Sequence, residues 1–200
     1  VALITAAEAR DLIPGLTGTG QDARLDEYIA AAGALMAAFV GFPPASAGVD
    51  PTLEDTTYTE YYDGEGGLTL RLDLYPVLSV TSVYDDPNRA YGADTLVSSS
   101  DYDLDGRRGL LLLKPNAAHG AWSDGELRAI KVTFVAGFAT VPSSIKRACA
   151  QEAKRLLTAR ATQGQASASK GGQSVSFRDP GLLPETREIL APLRLPRAIL

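Results

Sequence analysis

The sequence predicts an α+β protein: a helical bundle carrying an inserted antiparallel β region, with a C-terminal arm that ends in a short helix. Two patterns predict it. From Thr57 to Leu74 apolar and polar residues alternate, Tyr58, Glu60 and Tyr62 against Thr57, Thr59 and Tyr61, then Leu68, Leu70, Leu72 and Leu74 against Thr69, Arg71 and Asp73. That period of two marks half-buried strands. On either side of the β region the apolar residues recur at three and four instead, as on one face of a helix.

The elements follow in order. Thr5 and Glu8 form a capping box that opens a helix over residues 6–13, which ends before Pro14-Gly15. Asp22 caps a second helix over 23–40, with Leu25, Tyr28, Ile29, Ala32, Leu35, Met36 and Phe39 on its apolar face and Gly41 as its stop. The β region spans 56–136. Its first two strands, 57–63 and 67–74, read as a hairpin around the acidic turn DGEGG, where Gly64, Gly66 and Gly67 supply backbone freedom. Further strands are expected at 77–84, 101–104, 109–113 and 130–135, the last being the strongest. Ser143 or Ser144 opens a helix over 144–161 whose inner face carries Ile145, Ala148, Cys149, Glu152, Ala153, Leu156 and Leu157. Residues 162–173 are too polar and glycine-rich to order alone, and are followed by a lone strand, SVSF, and a helix after Pro184. The expected organisation is one α+β body over 1–165 and a C-terminal strand, helix and docking tail over 166–200.

Composition bounds the function. A single cysteine, Cys149, excludes an internal disulfide framework and reads as a packing residue. No run nears the roughly 18 apolar residues of a membrane span, and VALITAAEARDL lacks the features of a signal peptide, so a soluble, non-exported protein with no membrane partner is expected. The net charge of −5 hides an asymmetry: residues 1–105 hold 18 acidic and 4 basic side chains, a balance of −14, and residues 106–200 hold 6 and 15, a balance of +9. Either the halves interleave and the charges solubilise the fold, or acidic and basic faces of different copies meet head to tail.

The chemical motifs all fall short. Asp101, Asp103, Asp105 and Gly106 imitate the start of a calcium loop, but Leu112 stands where a bidentate Glu is needed. The structural reading is a strand ending in a turn, with Arg107 and Arg108 neutralising the carboxylates. His119 is the only histidine, so a multi-histidine metal site is excluded within one chain. It sits in a turn beside the only tryptophan, Trp122. Neither glycine cluster ends in the Lys-Ser/Thr of a phosphate loop. Asp85 and Asp86 belong to a turn, DDPN. No catalytic, cofactor-binding or metal-binding residue is assigned.

The order of elements and several strings, ALITAAEARDL, YTEYYDGEGG, LYPVLSVTSVYDD, DYDLDGRRGLLLL, IKVTFVAGFATVPSSIKRACAQEA and LPETREILAPLR, resemble the head–tail connector (adaptor, or head completion) proteins of tailed bacteriophages. That family includes neck components of gene transfer agents. The resemblance spans Ala2 to about Arg194. It implies a structural virion protein of the neck, present in the host cytoplasm during assembly. Such a protein binds the portal, a stopper or tail-completion protein, and itself in a ring of about twelve copies. DNA passes the channel without sequence-specific binding, and no cofactor is implied. Carried onto this chain, the resemblance makes Leu183–Leu200 the portal-docking segment, and the apolar and basic character of its end singles out Leu193, Arg194, Leu195, Arg197, Ile199 and Leu200 as the docking group. It also makes Tyr61, Tyr62, Glu65, Ser174, Val175 and Phe177 contacts to a ring neighbour or the distal partner. The competing readings are another neck or tail component, a small hydrolase using His119, and a carbohydrate-binding β module using its tyrosines.

Overall fold

The computed structural model describes residues 3–13, 20, 22–159, 167–170, 173–176 and 181–195. The chain divides into two compact units, one of residues 1–41, 51–53 and 141–194, the other of 42–50, 54–140 and 195–200.

The first unit is helical. In α1 (Ala6–Leu12) the predicted capping box is present: Thr5 Oγ1 accepts the Glu8 amide at 3.2 Å, and Glu8 Oε2 accepts the Thr5 amide at 2.8 Å. An ion pair from Arg10 to Asp22 and a hydrogen bond from the Ala6 amide to Asp26 at 3.1 Å fix α1 on α2 (Asp22–Val40). Leu25, Ile29, Ala32, Met36 and Val40 form the buried stripe of α2. Leu35, expected on that stripe, lies on its flank and is 47% exposed. Against α2 packs α3 (Ser143–Ala159), with Ile145, Ala148, Cys149, Glu152 and Ala153 buried. The alanines let the backbones approach, and the Cys149 thiol donates to the Ile29 carbonyl at 3.7 Å. Burial, reinforced by the charge of Glu152, pushes that thiol up to about 12, which makes it a packing residue and no nucleophile. Lys146 on α3 pairs with Glu8 at 2.9 Å and, with the Thr5 amide, holds its carboxyl below the ordinary range. The helix α4 (Pro184–Leu190) starts with proline at its first position, buries Thr186 and Leu190, and runs into a 3-10 turn at Ala191–Leu193.

One element of this unit corrects the sequence reading. The strand at SVSF is not alone: β7 (Ser167–Lys170) pairs antiparallel with β8 (Gln173–Ser176), from Ser167 opposite Ser176 to Lys170 opposite Gln173. Part of the stretch expected to be disordered therefore satisfies its backbone as a hairpin, for which a two-glycine link is a strong sequence signal. Residues 162–166, 171, 172 and Phe177 lie outside the described residues.

The second unit holds two three-stranded antiparallel sheets, ordered β1-β6-β3 and β2-β5-β4. The strands are β1 (Thr56–Tyr62), β2 (Thr69–Arg71), β3 (Val77–Asp85), β4 (Tyr102–Asp105), β5 (Leu110–Leu113) and β6 (Ile130–Ala136). Strand β6 is central, and Ile130, Val132, Phe134 and Ala136 on it are all buried. Tyr58 packs between Phe42 and Phe134, each ring centre 6.3 Å away. The predicted pair β4–β5 forms as expected, but the predicted hairpin of β1 with β2 does not: β1 pairs with β6 and β2 with β5. Alternation shows which side chains turn inward, and Leu70, Leu72 and Leu74 are indeed buried. It does not say which strands pair. Strand β2 pairs with the short β5 from Thr69 opposite Leu112 to Arg71 opposite Leu110, and the Leu68 carbonyl accepts the Leu113 amide at 2.8 Å while its side chain is left 48% exposed. Near β4 the Lys114 side chain, not that of Arg107 or Arg108, forms the ion pair, with Asp103 at 3.4 Å, while Arg108 donates its backbone amide to Asp105 at 3.3 Å.

Charge sorts by unit and not by half of the chain. Among described residues the helical unit holds 8 acidic and 9 basic residues, and the β unit holds 15 and 7, a balance of −8. Acidic α1 and α2 are neutralised by basic α3, as Glu8 is by Lys146.

Candidate interaction surfaces

The outer face of the β1-β6-β3 sheet presents its side chains in rungs. Register sets Tyr61 opposite Lys131 and Lys131 opposite Tyr84, with Thr59, Thr133 and Ser82 on the next rung. The Thr59 and Thr133 hydroxyls are bonded at 3.2 Å. Two cations stand over aromatic rings at this end: Arg128 lies 4.4 Å from the centre of Tyr61, and Lys131 lies 5.5 Å from Tyr84 and 5.4 Å from Tyr91. Tyr61 and Tyr91 are themselves 5.5 Å apart. Leu127, the residue before Arg128 in the chain, is 70% exposed.

Backbone strain is concentrated here. Arg89, Tyr91 and Arg128, with φ of 62°, 50° and 55°, are the non-glycine residues with positive φ among the described residues. Each such conformation costs on the order of 1–3 kcal/mol unless its surroundings enforce it. The Asp86 carboxylate does so for the loop after β3, accepting the amides of Asn88 and Ala90 at 2.8 Å and of Tyr91 at 2.7 Å. Burial works to raise the Asp86 carboxyl, and the amides of Tyr91, Asn88, Ala90 and Arg89 together outweigh it and hold the group below the ordinary aspartate value. Asp63 Oδ1 likewise accepts the Arg128 amide at 2.7 Å, and the Tyr91 hydroxyl donates to the Arg128 carbonyl at 2.6 Å.

The inner face holds a second polar group. Tyr62 is buried, donates to Glu60 at 2.5 Å and accepts the Asp73 amide at 3.3 Å. Burial, opposed by the Tyr62 hydrogen bond and aided by Asp73, pushes the Glu60 carboxyl up. Tyr62 is therefore not a surface contact, which corrects its assignment. The turn beyond it is stitched to the loop before β6: the Gly64 amide bonds the Glu126 carbonyl at 2.8 Å, the Gly66 amide bonds Ser123 at 2.8 Å, and the Trp122 amide bonds Gly67 at 3.0 Å. Glu65, opposite Asp124 in this bridge, is exposed.

The only histidine lies in a cluster around Asp85. Asp85, whose side chain is 1% exposed, accepts from His119 Nε2 at 2.7 Å, from the Ser123 amide at 2.9 Å and from the Ser123 hydroxyl. The Ser123 hydroxyl points its own proton at Asp85 and not at the imidazole, so no nucleophile–base pair forms. The cluster anchors the loop, with Trp122 buried and its ring tilted 54° to that of His119 at a centre distance of 5.5 Å.

At the C-terminal end, Arg194 covers the Phe39 ring at 5.1 Å and Leu193 is half-buried. Leu195, assigned to an exposed docking group, is 8% exposed, so the packed subunit extends past Ala191 and this leucine belongs to its own core. Arg197, Ile199 and Leu200 lie outside the described residues.

A family model for the head completion proteins matches residues 2–195. The chain belongs to the head completion protein family. Among solved structures, a chain from the neck of an empty gene transfer agent (GTA) particle computed with C6 symmetry has the same fold, with a TM-score of 0.60 and 20% identity over 98% of this chain and 92% of that one. A chain from the virion of a native GTA particle matches at a TM-score of 0.58 and 18% identity, with the same coverage. No curated protein matches in sequence.

Of the residues predicted for this head completion protein's surfaces, the fold leaves Tyr61 and Glu65 exposed and places Ser174 and Val175 on β8. Sequence reasoning missed Tyr84, Tyr91, Leu127, Arg128 and Lys131. Lys131 opposite two tyrosines becomes readable only once the pairing of β6 is known. Residues 127 and 128 sit in a loop without periodicity.

Proposed function

We propose that this chain is a structural protein of the virion neck, whose copies close into a ring on the portal vertex of a filled capsid and join the head to a stopper or tail protein. The family match over residues 2–195 carries this reading, and the shared fold with a GTA neck chain supports it. The ring has about twelve copies, a number compatible with the sixfold symmetry of that neck. The β unit's balance of −8 suits a wall past which DNA phosphates slide without being held. The C-terminal arm, residues 166–200, docks on the portal through Leu193, Arg194 and the terminal Arg197, Ile199 and Leu200, with Leu195 kept inside the subunit. The hairpin bearing Ser174 and Val175 reaches a neighbouring protein. The role is non-catalytic: among the described residues the Asp85, His119 and Ser123 cluster is spent on anchoring a loop.

Particle assembly without this chain tests the proposal. Filled heads should accumulate without tails and lose DNA, and adding the purified chain should restore tailed particles. Complete tailed particles in its absence would overturn the assignment.

A further inference from the structure

The exposed end of the β1-β6-β3 sheet has the composition of a protein interface. Tyrosine and arginine supply large, stiff contact area and dominate interface energetics. Here Tyr61, 39% exposed, stands with Leu127, 70% exposed, Tyr91, Arg128 and Lys131. The patch is preorganised by the left-handed Tyr91 and Arg128 and by their hydrogen bonds to Asp86 and Asp63. Neither Arg128 nor Lys131 forms an ion pair with a carboxylate among the described residues, although the β unit holds 15 acidic side chains to 7 basic ones.

The complement stands on the other sheet of the same unit. Strand β4 is an edge strand, and Asp103 on it is 71% exposed on its side chain. Its partner in register, Leu112, is 39% exposed on the same outer face, with Asp105 two residues along. One face thus offers an exposed leucine beside Asp105 and Asp103, the latter still 71% exposed although Lys114 stands 3.4 Å away, and the other an exposed leucine and tyrosines beside cations. We propose that these two faces meet between neighbouring copies, Tyr61, Leu127, Arg128 and Lys131 of one subunit receiving Asp103, Asp105 and Leu112 of the next. Because the two faces differ, the contact is heterologous and repeats from copy to copy, the kind of contact that closes a ring. The contact rests on the proposed ring and specifies its interface. A nucleic acid is the weaker occupant, since two cations in a unit of net negative charge give phosphates a poor hold.

Charge reversal on the full chain tests the contact. Arg128→Glu mismatches every contact of a homogeneous ring, and so does Asp103→Arg. A mixture of the two variants can alternate, and then every contact is complementary. Sedimentation across a concentration series at low salt should show self-association of the wild-type chain that weakens as salt rises. Each variant alone should associate at least tenfold more weakly, and the mixture should recover wild-type association. Leu127→Asp, at a site with no core packing to lose, should weaken association as well. Variants that associate like wild type, a mixture that fails to recover, or a wild-type chain that stays monomeric throughout would each overturn the contact. If the monomeric chain retained duplex DNA through Arg128 and Lys131, the face would be a phosphate site instead. Variants that still restore tails to particles would remove this interface and leave the neck role standing.

Discussion

The Glu152 carboxylate accepts the backbone amide of Leu183 at 2.5 Å, and Leu183 is the N-cap residue of α4. The other carboxylate oxygen holds Arg155 Nε at 2.8 Å, and Glu152 is fully buried. One side chain on α3 thus places the start of the helix within the C-terminal arm.

Glu152→Ala removes an acceptor from the half-buried Leu183 amide and a partner from Arg155. A charge-assisted hydrogen bond of this kind contributes about 1.5–3 kcal/mol, so a comparable loss is expected in urea unfolding. Amide exchange should rise first in residues 184–193. An unchanged unfolding midpoint together with unchanged protection of α4 would show that α4 is held by Leu190 and its neighbours alone.

Gly64 is required by close approach. A Cβ there would lie 2.5 Å from the Ser123 carbonyl oxygen, a backbone atom that cannot swing aside. Gly64→Ala should destabilise the β unit by about 1–3 kcal/mol, the usual cost of overpacking, and disturb the bridge to residues 123–126. A variant with wild-type melting behaviour would contradict that geometry. By contrast, Gly120, where an added Cβ would meet nothing within 4 Å and φ is not positive, should accept alanine without effect.

Asp86 predicts an acid response. Its carboxyl lies below the ordinary value in the folded chain, so the unfolded chain binds the proton more readily. The stabilisation it gives is present above the ordinary aspartate value, near pH 4, and is lost as pH falls through the lower folded value. Amide exchange in residues 88–91 should accelerate over that range, and Asp86→Asn should abolish the pH dependence of that loop. A pH-independent loop in the wild-type chain would contradict the role given to the carboxylate.

Much of this was legible in the sequence, and the exceptions share a cause. The capping box at Thr5 and Glu8, the buried stripe of α2 and the inward face of β6 depend on local spacing and appear as expected. Pairing partners do not depend on local spacing: β1 joins the distant β6 rather than the nearby β2, with Thr59 and Thr133, 74 residues apart, sharing a hydrogen bond. Of the two readings of the charge halves, interleaving holds within the helical unit, because α1, α2 and α3 come from both ends of the chain and neutralise one another. Leu195 looked like an exposed tail because nothing in LRLPRAIL announces where the core stops. The left-handed Tyr91 and Arg128 were invisible because neither residue type favours that conformation.

The central claim, attachment to a portal, is tested most directly by sedimenting the purified chain with isolated portal rings. The account predicts that the full chain travels with the portal and that a chain ending at Leu195, which keeps its buried leucine and stays folded, does not. A truncated chain that binds the portal as well as the full one would contradict the docking role of the terminal residues, and a full chain that never travels with the portal would contradict the claim itself.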